Sequence, residues 1–323
     1  MTVTAPAAPL LTDEFAACWA TIAGNVARVI RGKDEVIGMA LTCMIARGHL
    51  LVEDVPGVGK TSLARALSTS LGTGHGRIQF TPDLLPSDVT GVSIFNQRSG
   101  EFEFRPGPVF HGIVLADEIN RASPKTQSAL LEVMEERQVT VDGVTYEVPS
   151  PFMVIATQNP IDMHGTYPLP EAQLDRFTMR ISIGYPDLDS EADVLRSESE
   201  APVDTLTPVA DARDLAAMIE TARTVYVSDA LYRYIVAIVT ASRGLPEILL
   251  GASPRAGVAL LRTARARAVA FGRDHVRPED VKVLAAAVLA HRLRLRPEAQ
   301  GGPATPHTLV ARLLATVPVP AGS

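Results

Sequence analysis

Cysteine is almost missing from this chain. Two residues in 323, Cys18 and Cys43, are too few for a disulfide framework and carry no C-x-x-C or histidine spacing that would hold a metal. Both are expected in the core. Long apolar runs are missing too: the longest, such as residues 234–241 and 283–290, fall far short of the ~20 residues of a membrane helix. The first dozen residues lack a positive n-region and a cleavage pattern, so 1–12 reads as a flexible tail and the protein as cytoplasmic. Positive charge is not in excess. A formal net charge of −6 argues against a chain whose main work is gripping nucleic acid, and the few aromatics do not interleave with the basic residues. The charge is nevertheless uneven. Between Arg255 and Arg296 ten Arg or Lys face three acids, whereas residues 187–214 are acid-rich. Solvated helix faces and a contact between subunits explain this better than a nucleic-acid groove.

What is present is the composition of a globular protein, 46% apolar and 20% charged, with length for about two domains. Strand-like runs at 49–53, 78–80, 113–117, 153–157 and 178–183 alternate with helical stretches, which predicts an α/β domain with a parallel five-stranded sheet covered on both faces. An acidic, proline-bearing stretch at 186–208 leads into segments of helical periodicity alone. The expected domains are therefore 13–190 and a small all-α domain at 191–323. Ser123-Pro124 and Ser253-Pro254 each mark a helix start, as does Pro278 followed by two acids. Asp142-Gly143 between alternating runs predicts a type I′ hairpin, and Ser99-Gly100 a second, weaker one.

Chemistry enters at Asp54 to Thr61, D-V-P-G-V-G-K-T, directly after an apolar run. Glycines at 57 and 59 let the backbone approach phosphates, Lys60 supplies a point charge to the β and γ groups, and Thr61 would ligate Mg²⁺. Asp54 stands where the phosphate-loop pattern has its first glycine. The alternative reading of that segment alone is a plain strand-to-helix turn. Residues 113–118 form a strand ending in Asp117 and Glu118, one suited to Mg²⁺ through its water shell, the other to orienting or deprotonating water. Asn159 ends another apolar run, with an amide that can both donate and accept. Arg176 closes a short helix at 171–177, and Arg255 begins the Ser253-Pro254 helix, where it would project toward the γ-phosphate. Taken singly, Asp117 and Glu118 read first as acids that end a strand, Asn159-Pro160 as a turn, and Arg176 as readily a salt-bridge residue as one presented to a neighbouring subunit.

Together these stations resemble, in order, an AAA+ ATPase, and the runs at 55–61, 115–122, 125–132, 156–160 and 165–177 resemble the MoxR family. The resemblance covers residues 27–314. It implies ATP and Mg²⁺ as ligands. Walker A would be Val55, Pro56, Gly57, Val58, Gly59, Lys60, Thr61 and Ser62, Walker B Asp117 and Glu118, sensor 1 Asn159, the trans-acting finger Arg176 and sensor 2 Arg255. Residues 80–104 would be the helix-2 insert and 137–148 the hairpin before sensor 1. It also implies a homo-oligomeric ring, commonly a hexamer, that works with a von Willebrand factor A domain protein on a client complex, often maturing a metal centre. An ATP-dependent nucleic-acid motor or loader is the alternative, and a switch-like module that scarcely hydrolyses ATP a third.

Overall fold

The computed structural model describes residues 8–159, 166–185 and 205–320. Two helices, α1 (Thr12–Ala27) and α2 (Asp34–Ile45), precede the sheet strands β1 (Leu50–Glu53), β2 (His75–Gln79), β5 (Ile113–Asp117), β8 (Met153–Gln158) and β9 (Met179–Ile181). All five strands are parallel, in the order β2-β5-β8-β1-β9. The pleat sorts their side chains. Leu50, Val52, Ile113, Leu115, Met153 and Ile155 turn to one face and merge with α1, α2, α3 (Lys60–Ser70) and the C-terminal helices. Leu51, Val114, Ala116, Val154 and Ala156 turn to the other, where α5 (Pro124–Glu136) lies. A parallel sheet needs both faces covered, and alternate residues here serve one cover each.

A short helix, α4 (Pro86–Thr90), leads into the hairpin β3 (Gly91–Asn96) and β4 (Glu101–Pro106), which runs two residues beyond the expected 104. The second hairpin joins β6 (Gln138–Val141) to β7 (Val144–Glu147). Positive φ at Asp142 (51°) and Gly143 (78°) is the type I′ geometry, whose twist matches the flanking strands. Phe104 stacks on Tyr146 with ring centroids 4.1 Å apart, which ties the two hairpins together. Gly112 has a steric reason: a Cβ there would lie 2.8 Å from the Thr73 side chain.

After α6 (Glu171–Leu174) and β9, the chain continues as α7 (Ala212–Thr224), α8 (Asp229–Ser242), α9 (Pro254–Ala270), α10 (Pro278–Leu289) and α11 (Pro306–Thr316). Ser123 and Ser253 cap α5 and α9 through their hydroxyls, each with proline next. This C-terminal part is helical, as expected, with one addition. An antiparallel ribbon pairs β10 (Ile248–Leu250) with β11 (Arg294–Leu295), strands too short to leave a pattern in the sequence. The proposed boundary near 190 falls in 186–204, outside the described residues, as does most of the expected tail. Cys43 is buried in the core, but Cys18 is only partly buried because its face of α1 is half solvated.

Candidate active site

The segment after β1 turns sharply before α3. Gly57 and Gly59 take φ of 87° and 89°, while a Cβ on either would meet nothing within 4 Å. The need is for a backbone conformation, not for space. Helix α3 has no side-chain cap and no acid in its first turn. The N–H groups that open a helix then point at whatever anion sits before it, so the segment fits a polyphosphate. Lys60 Nζ donates to the Asp54 carbonyl at 2.7 Å. Burial lowers the lysine's pKa, against the opposing pull of Asp117, Asp54 and Glu118.

Asp54, the misfit in the phosphate-loop pattern, is a staple. Its carboxylate accepts from Ser182 Oγ (2.9 Å) and from the N–H groups of Ile183 and Gly184 (2.7 Å each). Burial pushes this carboxyl up, but the hydrogen bonds from Gly184, Ser182, Val55 and Ile183 outweigh it and hold it below the usual range. The loop is thereby fastened to the chain leaving β9.

Asp117 and Glu118 emerge at the same edge, where β5 ends between β2 and β8. Thr157 on β8 organises both. Its hydroxyl donates to Asp117 Oδ1 at 2.6 Å and accepts from the Glu118 N–H at 2.9 Å. Glu118 itself is left-handed, φ 55° and ψ 49°, a conformation that a non-glycine residue holds only where its surroundings enforce it. Its carboxylate accepts from Gln79 Nε2 and Arg121 Nη1, both at 3.0 Å, and Asp117 Oδ2 pairs with Arg77 at 3.1 Å. Asn159 follows β8 directly, and the Gln158 carbonyl accepts from Asp54 N–H at 3.1 Å, so the amide leaves the sheet between the phosphate loop and the acids. Lys60, Thr61, Asp117, Glu118 and Asn159 thus share one edge. In the sequence Thr157 is only one residue of the 156–160 run; its role shows once β5 and β8 are neighbours.

Arg255 is not with them. It and Arg176 both pair with Glu135 at the C-terminal end of α5, at 3.1 Å each. Arg255 lines one cavity with Arg137 and His49, the residue before β1, and burial, helped by the charges of Arg137 and Arg255, depresses that imidazole. His49 precedes the phosphate loop by the length of β1, roughly 16 Å at ~3.3 Å per residue. The expectation that Arg255 would reach its own chain's γ-phosphate is therefore corrected: the helical domain docks α9 against the opposite end of the sheet. Asp175 fixes that docking. It accepts from Arg292 Nε at 2.6 Å and from the α9 cap Ser253 Oγ at 3.1 Å, while Arg292, 4% exposed, also donates to Phe177 O at 2.8 Å. The helical domain contributes elsewhere to the loop's surroundings. A cavity of about 500 Å³ bordering Glu53 is lined by Gly32, Val36, Ile183, Ala286 and His307, and α10 and α11 supply the last two. No sequence signal marked it.

Residues 49–179 match the family model described as "ATPase family associated with various cellular activities (AAA)", and residues 240–313 match the AAA lid domain. The chain is 50% identical over 297 residues to the uncharacterized protein YeaC of Bacillus subtilis, covering 92% of this chain and 93% of that one. It is 42% identical to Chaperone MoxR1 of Mycobacterium tuberculosis, over 92% of this chain and 81% of that one. A crystal structure of a candidate ATPase from Cytophaga hutchinsonii superposes with a TM-score of 0.89 at 40% identity, covering 96% and 97% of the two chains. With the sheet order, the phosphate loop and the acid pair already in place, these likenesses put the chain in the MoxR family of AAA+ ATPases.

Proposed function

We propose that this ATPase works as a ring, commonly of six copies, in which each nucleotide is held by one chain and its hydrolysis completed by the next. Val55 to Ser62 cradle the triphosphate, and the cavity beside Glu53 seats the base. Glu118, turned by Thr157 and steadied by Gln79 and Arg121, orients and deprotonates the attacking water. Asn159 bridges that water and the γ-phosphate. The carboxylate of Asp117 and hydroxyl of Thr61 suit a Mg²⁺ that keeps most of its waters, which would neutralise charge on the phosphate oxygens. The observation that carries this reading is the separation: Arg176 and Arg255 sit together on Glu135, across the sheet from Lys60. Arginines so placed serve a neighbour's phosphates.

The work done is chaperone-like remodelling of a partner complex, with a von Willebrand factor A domain protein as the adaptor, in keeping with the name of Chaperone MoxR1. At the tip of the first hairpin Phe95 and Phe102 are 51% and 73% exposed, an apolar contact surface of the kind that partners cover. Among the described residues no helix is long and apolar enough to cross a membrane. Steady-state ATPase assays with added partner protein or added DNA test this directly. Stimulation by the protein is expected; stimulation by DNA alone would favour a nucleic-acid motor.

A further inference from the structure

The basic stretch that stood out in the sequence is mostly spent on ordinary contacts. Arg267 and Arg273 converge on fully buried Asp280 at 2.5 and 2.6 Å. Arg255, Arg292 and Arg294 pair with Glu135, Asp175 and Glu171. Arg262 and Arg265 are different. They line a cavity of about 520 Å³ with Arg47, Arg137 and Arg223, and no acid among the described residues is in its wall. The five arginines come from α2's end, α5's C-cap, α7 and α9, four separate places in the chain.

Among the described residues little offsets these charges. Arg223 has Glu220 at 3.0 Å. Arg137 donates to the carbonyls of Arg47 and Phe152, and Arg265 Nη2 to the Tyr232 hydroxyl at 3.1 Å. The Nε of Arg265 is buried with no partner. Arg47 and Arg262 form no ion pair among the described residues. Burial lowers the pKa of Arg137, and the charges of Arg47 and Arg262 add to the effect.

Guanidinium groups in a fork geometry match phosphate oxygens, and several around one void call for a ligand carrying several negative charges in a small volume. A single carboxylate would leave most of them uncompensated. The void is of a size that holds a nucleotide-sized molecule, and Ile45, Ala46, Ile219 and Ala222 give it an apolar side. We propose that this cavity binds a diffusible polyphosphate, free or carried on a nucleoside, at a site separate from the phosphate loop. Its walls come from both the sheet domain and the helical domain, so the ligand bridges them. Arg47, Arg137 and Arg262 also line the smaller cavity that holds Arg176 and Arg255. Occupancy is thereby linked to how those two arginines are presented.

The test uses the full chain with Lys60→Ala, which removes phosphate-loop binding, and titrates inorganic tripolyphosphate by calorimetry. Saturable binding is expected, not displaced by sulfate at matched ionic strength. Adding Arg223→Ala and Arg265→Ala should weaken it about tenfold or more, as for loss of one or two charge-assisted hydrogen bonds. Arg223→Gln alone, at an exposed helix position, should weaken it measurably without altering the fold. No binding to Lys60→Ala, binding unchanged by these substitutions, or equal displacement by sulfate would each overturn the proposal. So would binding seen only when phosphate loops are intact, because the anion would then be a neighbour's nucleotide. Loss of this site leaves the ring reading standing, and the reverse also holds.

Discussion

The two ends of the sheet hold their charges differently. Where the strands finish, Lys60, Asp117 and Glu118 each have polar partners within the chain, namely the Asp54 carbonyl, Thr157 with Arg77, and Gln79 with Arg121. Where the strands begin, Arg176 and Arg255 share one carboxylate, and Arg47 and Arg262 have none among the described residues. An end whose charges are matched is ready to bind a ligand of its own. An end with surplus arginine is incomplete until an anion arrives from outside: in the ring proposed above, the neighbour's triphosphate for Arg176 and Arg255, and a diffusible polyphosphate for the cavity of Arg47 and Arg262.

The largest expected effect is at the arginine end. Arg176→Ala should lower turnover by about 10³-fold or more, roughly 4 kcal/mol, while nucleotide binding by equilibrium titration is retained. Lys60→Ala should lose binding itself, so the two substitutions separate the ends. The joint between domains comes next. Asp175→Asn leaves the Arg292 guanidinium buried without its counter-charge and should cost about 3 kcal/mol in denaturant unfolding. It should also depress turnover more than binding, because Asp175 holds both Arg292 and the cap of the helix bearing Arg255.

Acid should loosen the begin-strand end first. Burial, helped by the charge of Arg137, holds His49 down to about 3, with Nδ1 accepting from Val154 N–H at 3.0 Å. His291, buried against Phe177 O beside Arg292, is also held well below its ordinary value. Below the ordinary histidine pKa of about 6.5 the unfolded chain takes up protons that the folded chain refuses, so stability falls as pH falls. The slope is about 1.4 kcal/mol per pH unit for each histidine. Melting curves between pH 7 and 5 should show that fall, and a flat profile would contradict it. The smallest change concerns the matched end: Thr157→Val removes one hydroxyl from Asp117 and Glu118 and should cost about 1 kcal/mol in the barrier, a several-fold drop in turnover.

Much of the matched end was legible in the sequence because its parts are local. A strand, a glycine turn and a lysine are neighbours in the chain, and a strand that ends in two acids announces which end of a parallel sheet it faces. Asn159 follows the same logic. The arginine end was less legible, since the place of Arg255 depends on how a separate helical domain docks, and Asp175 and Arg292 that set the docking are 117 residues apart. The cavity with five arginines draws on four segments, so only tertiary structure assembles it. Asp54 looked like a defect because the pattern describes phosphate contacts, whereas its carboxylate serves the chain leaving β9.

Complementation bears most directly on the claim that each ATP is hydrolysed by two chains. Arg176→Ala keeps an intact phosphate loop but no finger, and Lys60→Ala keeps the finger but no loop. Each alone should be inactive. Mixed under conditions that form mixed rings, they should regain part of wild-type turnover at interfaces where a Lys60→Ala chain presents Arg176 to an Arg176→Ala neighbour. Mixed rings that remain as inactive as the separate variants would contradict the account.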